Sequence, residues 1–160
     1  MSALTSAIYI NLLVQHEMTI SALYTVFGRK LPGMATFWTE ISTEEKAHAM
    51  VLRELEVLLE QKRVVFVPPG AKIAIIEESL EWMTNLIRET NHSDSLSPGH
   101  CLNFALKLEM SMIEKNFFDL FAGGDPDMIR EFNALIAHTQ EHIHRITAEM
   151  KHHHLPPDPA

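Results

Sequence analysis

Between residues 38 and 59 the apolar side chains recur at steps of three and four: Trp38 and Ile41, then Leu52, Leu55 and Leu59. That spacing holds side chains on one face of an α-helix. Glu45 and His48 fall in register in the middle of the same seam. A chain that buries this face must bury a carboxylate and an imidazole with it. An ionised carboxylate in an apolar interior is heavily disfavoured unless it is paired or metal-bound. Few folds make room for such a stripe.

The rest of the chain repeats the helical pattern. A first helix is predicted over about 3 to 28, with Ile10, Leu13, Glu17, Ile20, Tyr24 and Phe27 on one face. The breakers Gly28, Pro32 and Gly33 end it, and a second runs from about 34 to 62. So short a connection makes the two antiparallel neighbours. After "VVFVPPG" comes a shorter amphipathic segment, about 71 to 90, with Ile73, Ile76, Leu80, Met83 and Ile87 in register. Ser97-Pro98 and Asp125-Pro126 are capping residues before proline, a good helix start. They open helices over about 98 to 121 and 126 to 152. No useful stretch alternates with period two, so the reading is all-α. Two antiparallel pairs joined by a long connection make a four-helix bundle with one crossover, which carries the extra short helix. Residues 1–152 form one domain on this reading, and 153–160, with the histidines and prolines of "HHHLPPDPA", a flexible tail.

The 160 residues suit a single core. A net charge of −8 argues against nucleic acid and anionic membrane as partners and suits cations. The lone Cys101 excludes an intrachain disulfide and any thiolate cluster. With no signal peptide and no run of eighteen apolar residues visible, the cytoplasm is the expected compartment.

Glu-x-x-His occurs at Glu45/His48, Glu89/His92, Glu141/His144 and Glu149/His152. Chance alone supplies about one such pair in a chain with 16 Glu and 10 His. Placement separates the four. Glu89/His92 runs into a polar turn and Glu149/His152 falls in a last helical turn. Glu45/His48 sits mid-seam, and Glu141/His144 continues a seam of Ala134, Ala137 and Ala148 whose small side chains leave room. The other two long helices each offer one isolated acid on an apolar stripe: Glu17 between Leu13 and Ile20, and Glu109 between Ala105 and Met112. Each half of the chain thus gives one Glu and then a Glu-x-x-His, 28 residues apart in the first half and 32 in the second. This matches the ligand plan of di-iron carboxylate bundles. Four carboxylates at one level would repel and take up protons, whereas two divalent cations would neutralise them. Oxygen-rich ligands with one imidazole per ion suit iron or manganese, with zinc a substitute. The methionines, Met50, Met110, Met112 and others, read as core filler, and His16, His138 and His142 as pointing off the seam.

At these residues the chain resembles the ferritin-like superfamily, most closely its rubrerythrin-like branch, over about residues 8 to 150. "FWTEISTEEKAHAMVL" and "ALKLEMSMIEKNFFDLF" look like that branch's second and third helices. The resemblance implies Glu17 and Glu109 as single carboxylates, Glu45 and Glu141 as bridging ones, and His48 and His144 as the imidazoles. It implies that Tyr24 hydrogen-bonds a ligand carboxylate; Asn116 stands at the equivalent place in the second half. Met112 replaces a glutamate usual in rubrerythrins, and no paired Cys-x-x-Cys domain is present to deliver electrons. The six-residue set is also like that of bacterioferritin, but Lys46 stands where that family's haem-ligating methionine would be, so no haem is expected. The implied function is a di-iron oxidoreductase, with two iron ions per chain reacting with peroxide or O2 and an unknown external electron donor. The alternative is ferroxidase and iron storage, or metal binding without turnover. A homo-oligomer is expected, a dimer favoured.

Overall fold

The computed structural model describes residues 3–61, 64–66, 72–93, 95–114, 121–124 and 126–155. Five α-helices dominate: α1 Ala3–Lys30, α2 Ala35–Glu60, α3 Lys72–His92, α4 Pro98–Glu114 and α5 Pro126–His152. A single 3-10 turn, Pro32–Met34, joins α1 to α2. Helix α1 packs along α2 and α3, α4 along α5, and α2 meets α5. Among the described residues no helix is long and apolar enough to cross a membrane.

The apolar stripes predicted for the first two helices form the core. Ile10, Leu13, Ile20, Tyr24 and Phe27 of α1 are buried against Trp38, Ile41, Leu52 and Leu55 of α2. Gly28 does not end α1, which runs two residues further. A Cβ placed on Gly28 would lie 3.3 Å from the Cβ of Trp38, so the missing side chain lets the indole close against the helix. Tyr24, Phe27 and Trp38 form an aromatic cluster, with ring centroids 5.1 Å apart for Phe27 and Trp38 and 5.4 Å for Tyr24 and Trp38. Of the methionines read as core filler, Met34, Met83, Met112 and Met150 are buried, whereas Met18, Met50 and Met110 are exposed.

A hydroxyl group of contacts crosses the α1–α2 seam inside this core. Ser21 Oγ donates to the carbonyl oxygen of Ser42 at 2.8 Å, and Ser42 Oγ donates back to the carbonyl oxygen of Ser21 at 2.9 Å. Thr25 Oγ1 lies 2.9 Å from Ser42 Oγ. The buried hydroxyls of Ser21 and Ser42 thus both find partners, which is the condition for burying them at little cost.

Two features depart from the sequence reading. Val64–Phe66 (β1) pairs antiparallel with Phe121–Gly124 (β2), Val64 opposite Gly124 and Phe66 opposite Phe121. Phe121 therefore belongs to a strand rather than to the end of the helix predicted over 98 to 121; 115–120 lie outside the described residues. So small a ribbon has no periodicity of its own to read.

The second departure is at the C-terminus, where residues 153–155 of the predicted tail cap α5. Leu155 N–H donates to the Met150 carbonyl at 2.9 Å and His154 N–H to that of Lys151 at 3.1 Å, the paired bonds of a Schellman motif. Leu155 packs on the core, within reach of Gly99 at the start of α4. The remaining tail, 156–160, lies outside the described residues.

His154 occupies the left-handed position of this cap, with φ of 54°. A non-glycine residue there is strained by about 1 kcal/mol. His154→Gly is therefore expected to stabilise the fold by about that amount, read as a raised midpoint in urea unfolding with unchanged slope.

Candidate metal centre

Glu17 of α1, Glu45 and His48 of α2, and Glu109 of α4 all reach one buried level. Each arrives there because it occupies the apolar stripe of its helix, and burying the stripe buries the polar group. The carboxylates are at most 1% exposed and His48 only 4%. The fifth member is His142 of α5, also 1% exposed.

The five form two triads that share a residue. Glu17, Glu45 and His48 bring one ligand atom each within 4.8 Å of one another, and so do Glu45, Glu109 and His142. Glu45 is the common member and uses a different oxygen for each. Its Oε2 lies 2.8 Å from His48 Nδ1, and its Oε1 lies 2.7 Å from His142 Nδ1. Glu17 Oε2 is 3.8 Å from His48 Nδ1, and Glu109 Oε1 is 3.6 Å from His142 Nδ1.

Several of these atoms lack hydrogen-bond partners among the described residues: both oxygens of Glu17, Oε1 of Glu45 and Nδ1 of His142. Glu45 Oε1 and His142 Nδ1 are close, but their geometry is not that of a hydrogen bond. Buried carboxylate oxygens and imidazole nitrogens gathered this closely are an arrangement that a cation could satisfy. These buried Glu and His groups could hold a metal ion.

The surroundings fix the ring nitrogens. His142 Nε2 donates to Glu44 Oε2 at 2.8 Å, leaving Nδ1 to face the cluster. Arg145 Nη1 holds both oxygens of Glu44 at 2.7 and 2.8 Å and its Nη2 reaches Glu40 at 3.1 Å. Burial works to raise the Glu44 carboxyl, but the bonds from Arg145 and His142 outweigh it and keep the pKa below the usual value. A carboxylate behind an imidazole orients it and makes it a better ligand. His48 is backed differently: its Nε2 lies 3.2 Å from His138 Nδ1, and the two rings stack at 5.3 Å. The two imidazoles are thus unequal in their support. Tyr24 Oη donates to Glu109 Oε1 at 2.7 Å, and burial together with the charge of Glu109 raises the phenol well above its ordinary pKa.

The structure does not bring Glu141 and His144 to this site. Their side chains are 63% and 79% exposed, 3.9 Å apart on the outer face of α5. The buried face of α5 is instead Leu135, Thr139, His142, Ile146 and Met150. Leucine, isoleucine and methionine each gain about 1.5–3 kcal/mol on burial and alanine far less, so they set the rotation of the helix. Ala137 and Ala148 are exposed accordingly. The apolar size of the two stripes is the signal that points to His142, which the sequence reading places off the seam. Three residues before it stands Thr139, where a second buried Glu-x-x-His would need its glutamate; its hydroxyl donates to the Leu135 carbonyl at 3.0 Å. His16, also assigned off the seam, is buried between α1 and α3, with Nε2 2.9 Å from Ser79 Oγ. Glu44 and Arg145 carried no sequence signal, because their pairing spans two distant helices.

No protein-family model, curated protein or solved structure matches the chain. It is a helical protein with a buried Glu/His cluster that could hold a metal ion.

Without metal, the carboxylates and imidazoles of the cluster shift one another's titration. Burial works against charging His48 and His142, but the facing carboxylates Glu17, Glu45 and Glu109 prevail and push the two pKa values up to about 10 and about 11 from 6.5. Burial and the charge of Glu45 raise Glu17 to about 7 from 4.5. Glu45 itself, despite burial and the charge of Glu109, is held below the usual value by the two imidazoles. A pKa raised on folding stabilises the fold below the unfolded value, and that contribution is lost as pH rises through the folded one. For both histidines the loss runs upward from 6.5. Metal-free protein should therefore melt at a lower temperature at pH 9 than at pH 6. Ligation requires neutral imidazoles, so adding Zn(II) at pH 8 should restore the melting temperature and release about two protons, measured with an indicator dye in weak buffer.

Proposed function

We propose that the chain is a ferritin-like four-helix bundle of rubrerythrin-like type, with a two-ion metal centre used in redox chemistry on peroxide or O2. The observation that carries this reading is Glu45, whose two oxygens face two separate Glu/His groups. A carboxylate presented this way suits a bridge between two ions. Glu17 and His48 would complete the ligands of one ion, and Glu109 and His142 those of the other. Each ion would receive two oxygens and one imidazole nitrogen, a set that suits Fe(II) or Mn(II), with zinc a substitute. That differs from the expected six ligands by the loss of Glu141 and the exchange of His144 for His142.

Two ferrous ions held there would supply the two electrons that, with two protons, reduce one peroxide molecule to two waters. The protein's part is positional and electrostatic. Glu45 fixes the spacing, Tyr24 orients Glu109, and Glu44 with Arg145 orients His142. The apolar stripes of α1, α2 and α4 keep bulk water from the centre. An external donor would have to return the electrons, since the chain holds no cysteine pair for an iron–sulfur group.

Thr139 favours a second reading, metal binding or ferroxidase activity without sustained turnover. With threonine at that position the centre has three carboxylates rather than four to balance two divalent ions, and a ferric pair would be less well neutralised. Mass in solution separates the outcomes: a 24-subunit particle supports iron storage, a homodimer the redox role.

Anaerobic titration with Fe(II) is expected to reach about two ions per chain. Addition of peroxide should then consume one equivalent and raise near-ultraviolet ferric absorption. Glu45→Ala should abolish both, and His144→Ala should leave both at the wild-type level. Failure of wild-type protein to bind Fe(II), or loss of binding in His144→Ala, would defeat this ligand assignment.

A further inference from the structure

The five cluster residues are almost fully buried, so an ion needs a way in. A pocket of about 380 Å³ is lined by Glu44, His138, Glu141, His142 and Arg145. Its wall includes the buried ring of His142, a member of the cluster, while His138 and Glu141 are exposed. Two other pockets, one of about 600 Å³ beside Lys30 and His100 and one of about 330 Å³ beside Trp82 and Lys107, touch no cluster residue. His138 also touches the cluster from outside, its Nδ1 3.2 Å from Nε2 of His48.

We infer that this pocket is the entrance by which a divalent cation reaches the buried centre, with His138 and Glu141 as its first protein contacts. His138 and Glu141 are three residues apart on α5, so an imidazole and a carboxylate lie side by side on one face at the mouth. A hydrated ion must shed water before it can enter a dry site. Exchanging waters for these two side chains divides that loss into smaller steps, and the buried carboxylates Glu17 and Glu45 would draw the ion onward. Arg145 does not close the route to cations, because its guanidinium is engaged by Glu44 and Glu40. Glu141, which is no part of the centre, thereby acquires a task in filling it.

This inference rests on the metal-binding reading of the centre. The test is stopped-flow uptake of Co(II), followed by its visible bands, in metal-free wild type and in the double variant His138→Ala/Glu141→Ala. Uptake should slow by about tenfold, the scale of electrostatic and positional capture, with the same amount of cobalt bound at the end. The volume-preserving pair His138→Gln/Glu141→Gln should show the same slowing. Glu54→Ala, which removes an exposed charge from α2 outside the pocket, should load at the wild-type rate. Unchanged rates with full loading would overturn the entrance alone. Loss of bound cobalt at the end point would also overturn it, by making the two residues ligands. No cobalt bands in wild type would overturn the centre and the entrance together.

Discussion

The structure depends on one carboxylate that cannot be satisfied by one partner. Glu45 is buried in the middle of α2, flanked by Glu17 and Glu109, with an imidazole against each oxygen. Three carboxyl groups within so small a dry volume would repel strongly if all were ionised, and nearby positive charge makes the arrangement tolerable. In the metal-free protein the groups placed to carry it are the imidazoles of His48 and His142, which the facing carboxylates favour in the charged form. A cation bound there would take the place of those protons. The hydrophobic core around it, from Trp38 and Tyr24 on one side to Leu102 and Ala105 on the other, holds these groups where repulsion would otherwise spread them.

The outer ring of contacts turns a charge cluster into a defined site. Glu44 and Arg145 form an ion pair across α2 and α5 whose function is to present one ring nitrogen of His142 inward. Tyr24 does the same for one oxygen of Glu109. These contacts join helices far apart in sequence, so assembling the site and closing the helical core are one event.

Much of this was legible beforehand, and the reasons differ by residue. Glu17, Glu45, His48 and Glu109 could be picked out because each is a lone polar group on an otherwise apolar stripe, where burial leaves it no other destination. Helix α5 misled for a physical reason. Glu141 and His142 lie about 100° apart around the helix, and both edges can be drawn as seams. The alanine edge seemed to offer space, but the gain from burying Leu135, Ile146 and Met150 turned the helix the other way. The Glu-x-x-His spacing at Glu141 was the chance repeat its frequency allows. Glu44, Arg145 and the Val64–Phe66 ribbon were invisible because each is defined only by a distant partner.

The serine and threonine contacts between α1 and α2 have a consequence for vertical alignment. Sliding one helix past the other by a single turn would shift it by about 5.4 Å, more than the 4.8 Å within which the atoms of each triad gather. An oily seam alone resists such a slip weakly, since leucine and isoleucine find similar neighbours one turn away. The reciprocal bonds of Ser21 and Ser42 have no such alternative, and they lie one helical turn from Glu17 and Glu45 respectively. Two hydroxyls thus act as the detent that keeps opposing acids on one storey.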